Sequence, residues 1–161
     1  MADRDNMVAL HGIMQAYTDW CKPLCRELGL PQMAFDVLMF LSVNPELCTA
    51  REISRHQGYK ENILSVNVNK LVSEGYLERR SVEGDRRKVR LALTDKAQPV
   101  IARGNHTQAE FAARMQEGIA PQELATLTKC LNVAGENARK IRAATSCQEF
   151  HDEEHTGSVS A

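Results

Sequence analysis

The sequence predicts a mostly α fold with one small β-hairpin, and three observations carry that prediction. Apolar residues recur at three- and four-residue spacing through most of the chain, and period-2 alternation is confined to a short stretch near its middle. Aromatic residues are 5% of the 161, and alternating β-branched runs are few, which argues against an extensive sheet. The stretch from Thr49 to Gly104 reads in order as helix, turn, helix, strand, charged turn, strand, helix. That order is a winged helix-turn-helix, with residues 31–94 as its core, 1–30 and 95–146 as flanking helices, and 147–161 as a tail.

The first helix is expected from about Asp5 to Leu28. Met7, Leu10, Ile13, Met14, Tyr17, Cys21, Leu24 and Leu28 form one stripe along it, and Gly29 ends it. Pro31 suits the first turn of a second helix reaching about Val43, apolar nearly all round and so centrally buried. After the Asn44-Pro45 breaker, Thr49-Ala50-Arg51-Glu52 has the form of a capping box for a short helix to about His56. Gly58 supplies a turn. The next helix runs from about Lys60 to Glu74 with Leu64, Val68 and Leu71 inward, and Gly75 stops it.

Tyr76 to Ser81 and Lys88 to Leu93 read as strands around a turn of residues 82–87; Val89, Leu91 and Leu93 alternate with polar or small neighbours. Thr94 is expected to cap a long helix towards Gln116, with an interruption possible at Gly104. A last helix starts at Pro121 and keeps Leu124, Leu127, Leu131, Ala134, Ala138 and Ile141 on one stripe to about Ser146. The polar, acidic remainder is expected to be mobile.

Hydrophobic content of 43% and charged content of 25% are those of a soluble globular domain. No apolar run spans a bilayer, and MADRDNM lacks a signal-peptide layout, so a cytoplasmic, non-membrane protein is expected. Cys21, Cys25, Cys48, Cys130 and Cys147 contain no CxxC pair and read as reduced packing residues. The formal net charge is −1, but residues 49–104 hold twelve Lys or Arg against seven Asp or Glu, a local +5 against −6 elsewhere. Binding phosphates requires a local concentration of cations, not a basic chain.

The chemistry of this segment fits double-stranded DNA. The outward face of the helix from Lys60 to Glu74 carries Lys60, Glu61, Asn62, Ser65, Val66, Asn69 and Lys70. Asn can pair with adenine, Ser with either base type, and Val with a thymine methyl; Lys60 and Lys70 suit phosphate. Taken alone, the same face is equally that of a solvated helix. The hairpin breaks the tie, because Asp85-Arg86-Arg87-Lys88 concentrates cations on a turn able to enter a narrow minor groove. The competing class is a winged-helix protein-interaction module without specific DNA readout, which has no need of Arg86 and Arg87 on an exposed turn.

The runs TAREIS, KENILSVNVNKLVSEGYLERR, DRR and LALTDKA, in that order and spacing, resemble the MarR family of bacterial winged-helix regulators. In looser form the resemblance extends from Trp20 to about Ile141. It implies that Arg87 is a minor-groove contact oriented by Asp85, and that Asn62, Ser65, Val66 and Asn69 occupy base-reading positions. It also implies three kinds of partner: double-stranded DNA, a second copy of the chain, and a small, often aromatic, effector or an oxidant that releases DNA. Under that reading residues 1–30 and 95–146 are dimerisation helices, and the protein is a repressor on a pseudo-palindromic operator. The sequence departs from the family at Lys60-Glu61-Asn62-Ile63 and at Asn67, which leaves the operator sequence open.

For the effector, the candidates are His11, Tyr17, Trp20 and Cys21 on the first helix, with Cys25 as a second thiol, and Phe35 and Met39 on the second helix. Taken separately, each reads more readily as a core or dimer-interface residue. Cys21 and Cys25 share a helical face, but the C-terminal end of a helix disfavours a thiolate. His151-Asp152-Glu153-Glu154-His155 has the letters of a zinc-peptidase motif, yet it sits in a chain-end segment without a third ligand. No catalytic set, cofactor or metal site is expected.

Overall fold

The most apolar helix of the chain lies at the centre of its fold. The computed structural model describes the backbone of residues 2–82 and 85–156 and the side chains of 4–81, 89–142 and 144. It divides into two units, Met1–Met115 and Gln116–Ala161. The first contains α1 (Ala2–Leu28), α2 (Gln32–Val43), α3 (Ala50–Gln57), α4 (Glu61–Ser73), strands β1 (Leu77–Val82) and β2 (Asp85–Leu93), a 3₁₀ turn over Asp95–Ala97, and α5 (Gln98–Met115). The second contains α6 (Pro121–Thr156).

Seven consecutive or near-consecutive residues of α2, from Ala34 to Leu41, are buried, Asp36 alone being half-buried. Around them pack Cys21, Leu24 and Cys25 of α1, Ile53 of α3, Leu64, Val68 and Leu71 of α4, Leu77 and Leu91 of the hairpin, and Val100 and Ile101 of α5. Each fully buried Leu, Val or Phe contributes on the order of 1.5–3 kcal/mol of transfer free energy.

Local chemistry sets the ends of the helix-turn-helix. The Thr49 N–H donates to Glu52 Oε2 at 2.9 Å and the Glu52 N–H donates to Thr49 Oγ1 at 3.2 Å, the reciprocal capping box. Gly75 takes φ +77°, a left-handed conformation that costs glycine little. It lets the Gly75 N–H reach Val72 O (3.0 Å) and the Tyr76 N–H reach Leu71 O (2.9 Å), satisfying two carbonyls left over at the end of α4.

The hairpin is antiparallel, with Leu77 opposite Leu93, Arg79 opposite Leu91 and Val82 opposite Asp85. It is tied to the body of the unit by the Leu91 N–H, which donates to Cys48 O at 2.7 Å. The second strand is three residues longer than the alternation pattern indicated, and the first keeps its length but is shifted by one residue. Asp85, Arg86 and Arg87, expected in the turn, belong to the backbone of β2, and the turn itself (83–84) lies outside the described residues. Ladder pairing carries the ribbon past the point where apolar alternation stops.

Three further expectations are corrected. Thr94 does not cap a helix with its side chain; its hydroxyl instead donates to Gly75 O (2.6 Å), and a 3₁₀ turn precedes α5. The backbone of α6 continues through the acidic segment to Thr156 instead of stopping near Ser146, there being no Gly or Pro between Ser146 and Gly157 to break it. Gly104 does not interrupt α5. It is buried where α5 crosses α2, and a Cβ there would collide with Met39 Sδ and come within 3.0 Å of Phe35 Cε2. Gly104→Val is therefore expected to destabilise the fold by about 1–3 kcal/mol through overpacking. The check is the urea midpoint, which should fall at constant slope; an unchanged midpoint would mean that the two helices part without cost.

Candidate nucleic-acid interface

The helix α4 separates its two faces cleanly. Leu64, Val68 and Leu71 are at most 3% exposed, whereas Asn62, Ser65, Val66 and Asn69 are all exposed. Val66 is 68% exposed and Ile63 46%, so two apolar side chains stand on a face that folding alone would make polar. Ile63, which the sequence assigned to neither face, stands on the exposed one.

The start of α4 explains an apparent mismatch. Lys60, the N-cap, has no acceptor to offer the free backbone N–H groups. Asn62 Oδ1 accepts from the Ile63 N–H at 2.9 Å instead, and Glu61 sits in the first turn, where a negative charge suits the helix dipole. Glu61 thus stabilises the helix at a position where it opposes phosphate. The Ser65 hydroxyl donates to Glu61 O at 2.8 Å, which leaves its lone pairs outward as acceptors. Asn67 is half-buried and donates to Ile63 O (3.0 Å) and to Met33 Sδ (3.3 Å), so a polar residue is accommodated at this position.

The cations differ in availability. Lys60 is exposed and makes no ion pair among the described residues, whereas Lys70 pairs with Glu74 and is half-buried. A pair this exposed is worth roughly 0–1 kcal/mol, little enough for a phosphate to compete. On the hairpin Arg80 pairs with Glu78, the Arg79 guanidinium donates to Asn69 Oδ1 at 2.5 Å, and Arg90 Nε donates to Cys48 Sγ at 2.9 Å. The side chains of Asp85, Arg86 and Arg87 lie outside the described residues; only their placement on β2 is described.

Behind α4, a polar chain links the first helix to the turn before it. Cys25 Sγ meets Gln32 Oε1 (3.5 Å), Gln32 Nε2 donates to Asp36 Oδ1 (3.0 Å), and the Tyr59 hydroxyl donates to Asp36 Oδ2 (3.2 Å). Burial raises the Asp36 pKa against the opposing effect of these bonds, and burial likewise raises that of Tyr59.

Among the described residues, the expected effector residues do not together line the groove between α1 and α5. Cys21 and Phe35 are fully buried and Met39 nearly so, packed in the core, while His11 is exposed. The half-buried Tyr17 hydroxyl accepts from Gln108 Nε2 at 2.7 Å, and its ring meets Phe111 edge-on at 5.5 Å. Trp20 alone of this set lines the open groove of about 680 Å³ between α1 and α5, together with Pro23, Leu24, Arg103 and His106. The Trp20 indole N–H is held by Thr107 O at 3.1 Å.

The thiols are poorly suited to sensing. Burial, then the neighbouring Cys21 and Asp36, push the Cys25 pKa up to about 11, and burial raises Cys21 as well. At neutral pH both are thiols. Alkylation of the native protein at pH 7 is expected to leave Cys21 and Cys25 unmodified until denaturant is added, as read by peptide mass; rapid modification of either would restore them as sensors. Among the described residues no cluster of His, Cys, Asp or Glu is arranged to hold a metal, and no helix is long and apolar enough to cross a membrane. The side chains of His151 and His155 lie outside the described residues.

Residues 28–88 match the MarR family. No curated protein matches the chain. Among solved structures, a transcriptional regulator is similar at 27% identity and TM-score 0.73, covering 83% of this chain and 97% of that one. A MarR protein from Peptoclostridium difficile is similar at 18% identity and TM-score 0.78, covering 88% and 92%. A MarR-family transcriptional regulator from Listeria monocytogenes, complexed with a 26-mer DNA, is similar at 16% identity and TM-score 0.79, covering 87% and 93%.

Proposed function

We propose, from the premise that this chain is a winged-helix regulator of the MarR family, that it binds double-stranded DNA sequence-specifically as a homodimer. In this reading it is a repressor on a pseudo-palindromic operator. The observation that carries the proposal is α4, which buries three apolar residues and leaves Asn62, Ser65, Val66 and Asn69 outward with hydrogen-bonding and methyl-contacting groups. Lys60 and the hairpin arginines supply cations beside that face. The homodimer is supported by the exposed apolar stripes of α1 (Met7, Leu10, Met14) and α6 (Leu127, Leu131), surface of a kind that a second copy would cover. Release of DNA is assigned to a small molecule in preference to thiol oxidation, because Cys21 and Cys25 are buried thiols.

Selection of a random duplex library, followed by titration at two salt concentrations, tests this function. An enriched pseudo-palindrome with half-sites one helical turn apart, roughly 34–36 Å, is expected. Weak binding without enrichment, lost at moderate salt, would leave phosphate attraction alone and favour a protein-interaction module. On the selected operator, Arg87→Ala is expected to cost about 1–3 kcal/mol of affinity without changing the oligomeric mass. Unchanged affinity would remove the wing from the interface.

A further inference from the structure

One contact joins the wing to the recognition helix. Arg79 projects from β1, opposite Leu91, and its Nη2 donates to Asn69 Oδ1 at 2.5 Å. A guanidinium carries only donors, so the amide atom facing it must be the oxygen; the reversed amide would set donor against donor. Arg79 makes no ion pair among the described residues, while its neighbour Glu78, on the other face of the strand, is engaged by Arg80. Asn69 is exposed, and its Nδ2 has no partner among the described residues.

This arrangement changes what Asn69 can read. A free asparagine recognises adenine by accepting from N6 and donating to N7, and that requires an available Oδ1. With Oδ1 turned towards Arg79, one of its two lone pairs is taken and the oxygen is held on the wing side, so the two amide hydrogens stand foremost at the exposed edge of the side chain. The base edge that complements two donors in the major groove is guanine, whose O6 and N7 are both acceptors. We infer that Arg79 is a positioning residue that orients Asn69 with its amide hydrogens towards the base edge, so that Asn69 selects guanine over adenine. The inference rests on the reading of α4 as a base-contacting helix.

The test is random-duplex selection, then titration of the selected duplex and its single-base variants, with the wild type, Arg79→Ala, Asn69→Ala and the double variant. In the wild type one half-site position should favour guanine over adenine by roughly 5- to 150-fold. Arg79→Ala should erase that preference there and leave the other positions unchanged. Asn69→Ala should erase it too, and in that background Arg79→Ala should change discrimination no further. Arg79→Met, which keeps length without donors, carries the same test if the alanine variant melts early.

Uniform weakening of all duplexes by Arg79→Ala, with the salt slope falling by about one, would overturn the inference and make Arg79 a phosphate contact. So would a wild-type adenine preference at the position that responds to Asn69→Ala, or no position that responds. Failure of the DNA-reading function looks different: the wild type then enriches no motif at all.

Discussion

Phe35→Ala is expected to remove about 3–5 kcal/mol of folding stability. The ring is fully buried on α2, at the crossing with α5, where Gly104 has no side chain because Phe35 and Met39 occupy the space. Truncation loses the transfer free energy of the ring and leaves a void that neighbouring helices cannot fill without shifting. For a chain of this length each kcal/mol moves the melting temperature by roughly 2–4 °C, so a drop of roughly 6–20 °C is expected in calorimetry. The outcome also decides a functional question. A loss under about 1.5 kcal/mol would mean that Phe35 borders open space, as an effector pocket requires. A full loss would mean that Phe35 is a core residue and that any effector must bind elsewhere, with the Trp20 groove as the open volume at hand.

What the sequence made legible is what short-range chemistry decides. The capping box at Thr49, the stop at Gly75, and the inward set Leu64, Val68 and Leu71 follow from residue type and helical period, and the structure has all of them. Through-space geometry was not legible. Nothing in the period of α4 tells that Asn69 meets Arg79, ten residues on and in another element. Gly104 was ambiguous for the same reason: a glycine in a helical pattern reads equally as a weak point or as a place where another helix comes close, and only the position of Met39 decides. The effector set could not be narrowed from sequence because apolar spacing marks burial, and burial in a closed core and burial beside a pocket have the same spacing.

Leu131→Glu is expected to convert the protein to monomer and to lower operator affinity by roughly 10²–10⁴-fold. Leu131 is 52% exposed on α6, in line with the exposed Leu127 one turn earlier, a stripe that burial against a second copy would cover. In a two-fold interface the substitution appears twice, so two carboxylates enter apolar surroundings without partners. Monomers must then bind half-sites independently and lose the effective concentration that linkage provides. Lys129→Glu is the control, since Lys129 lies on the side of α6 away from the stripe and should leave mass and affinity nearly unchanged apart from a small salt-dependent term. Sedimentation velocity reads the mass and titration of the selected duplex reads the affinity. A Leu131→Glu protein that remains dimeric would move the interface off this face of α6. A monomer with undiminished affinity would mean that each half-site is read alone, and the pseudo-palindromic operator would have no structural basis.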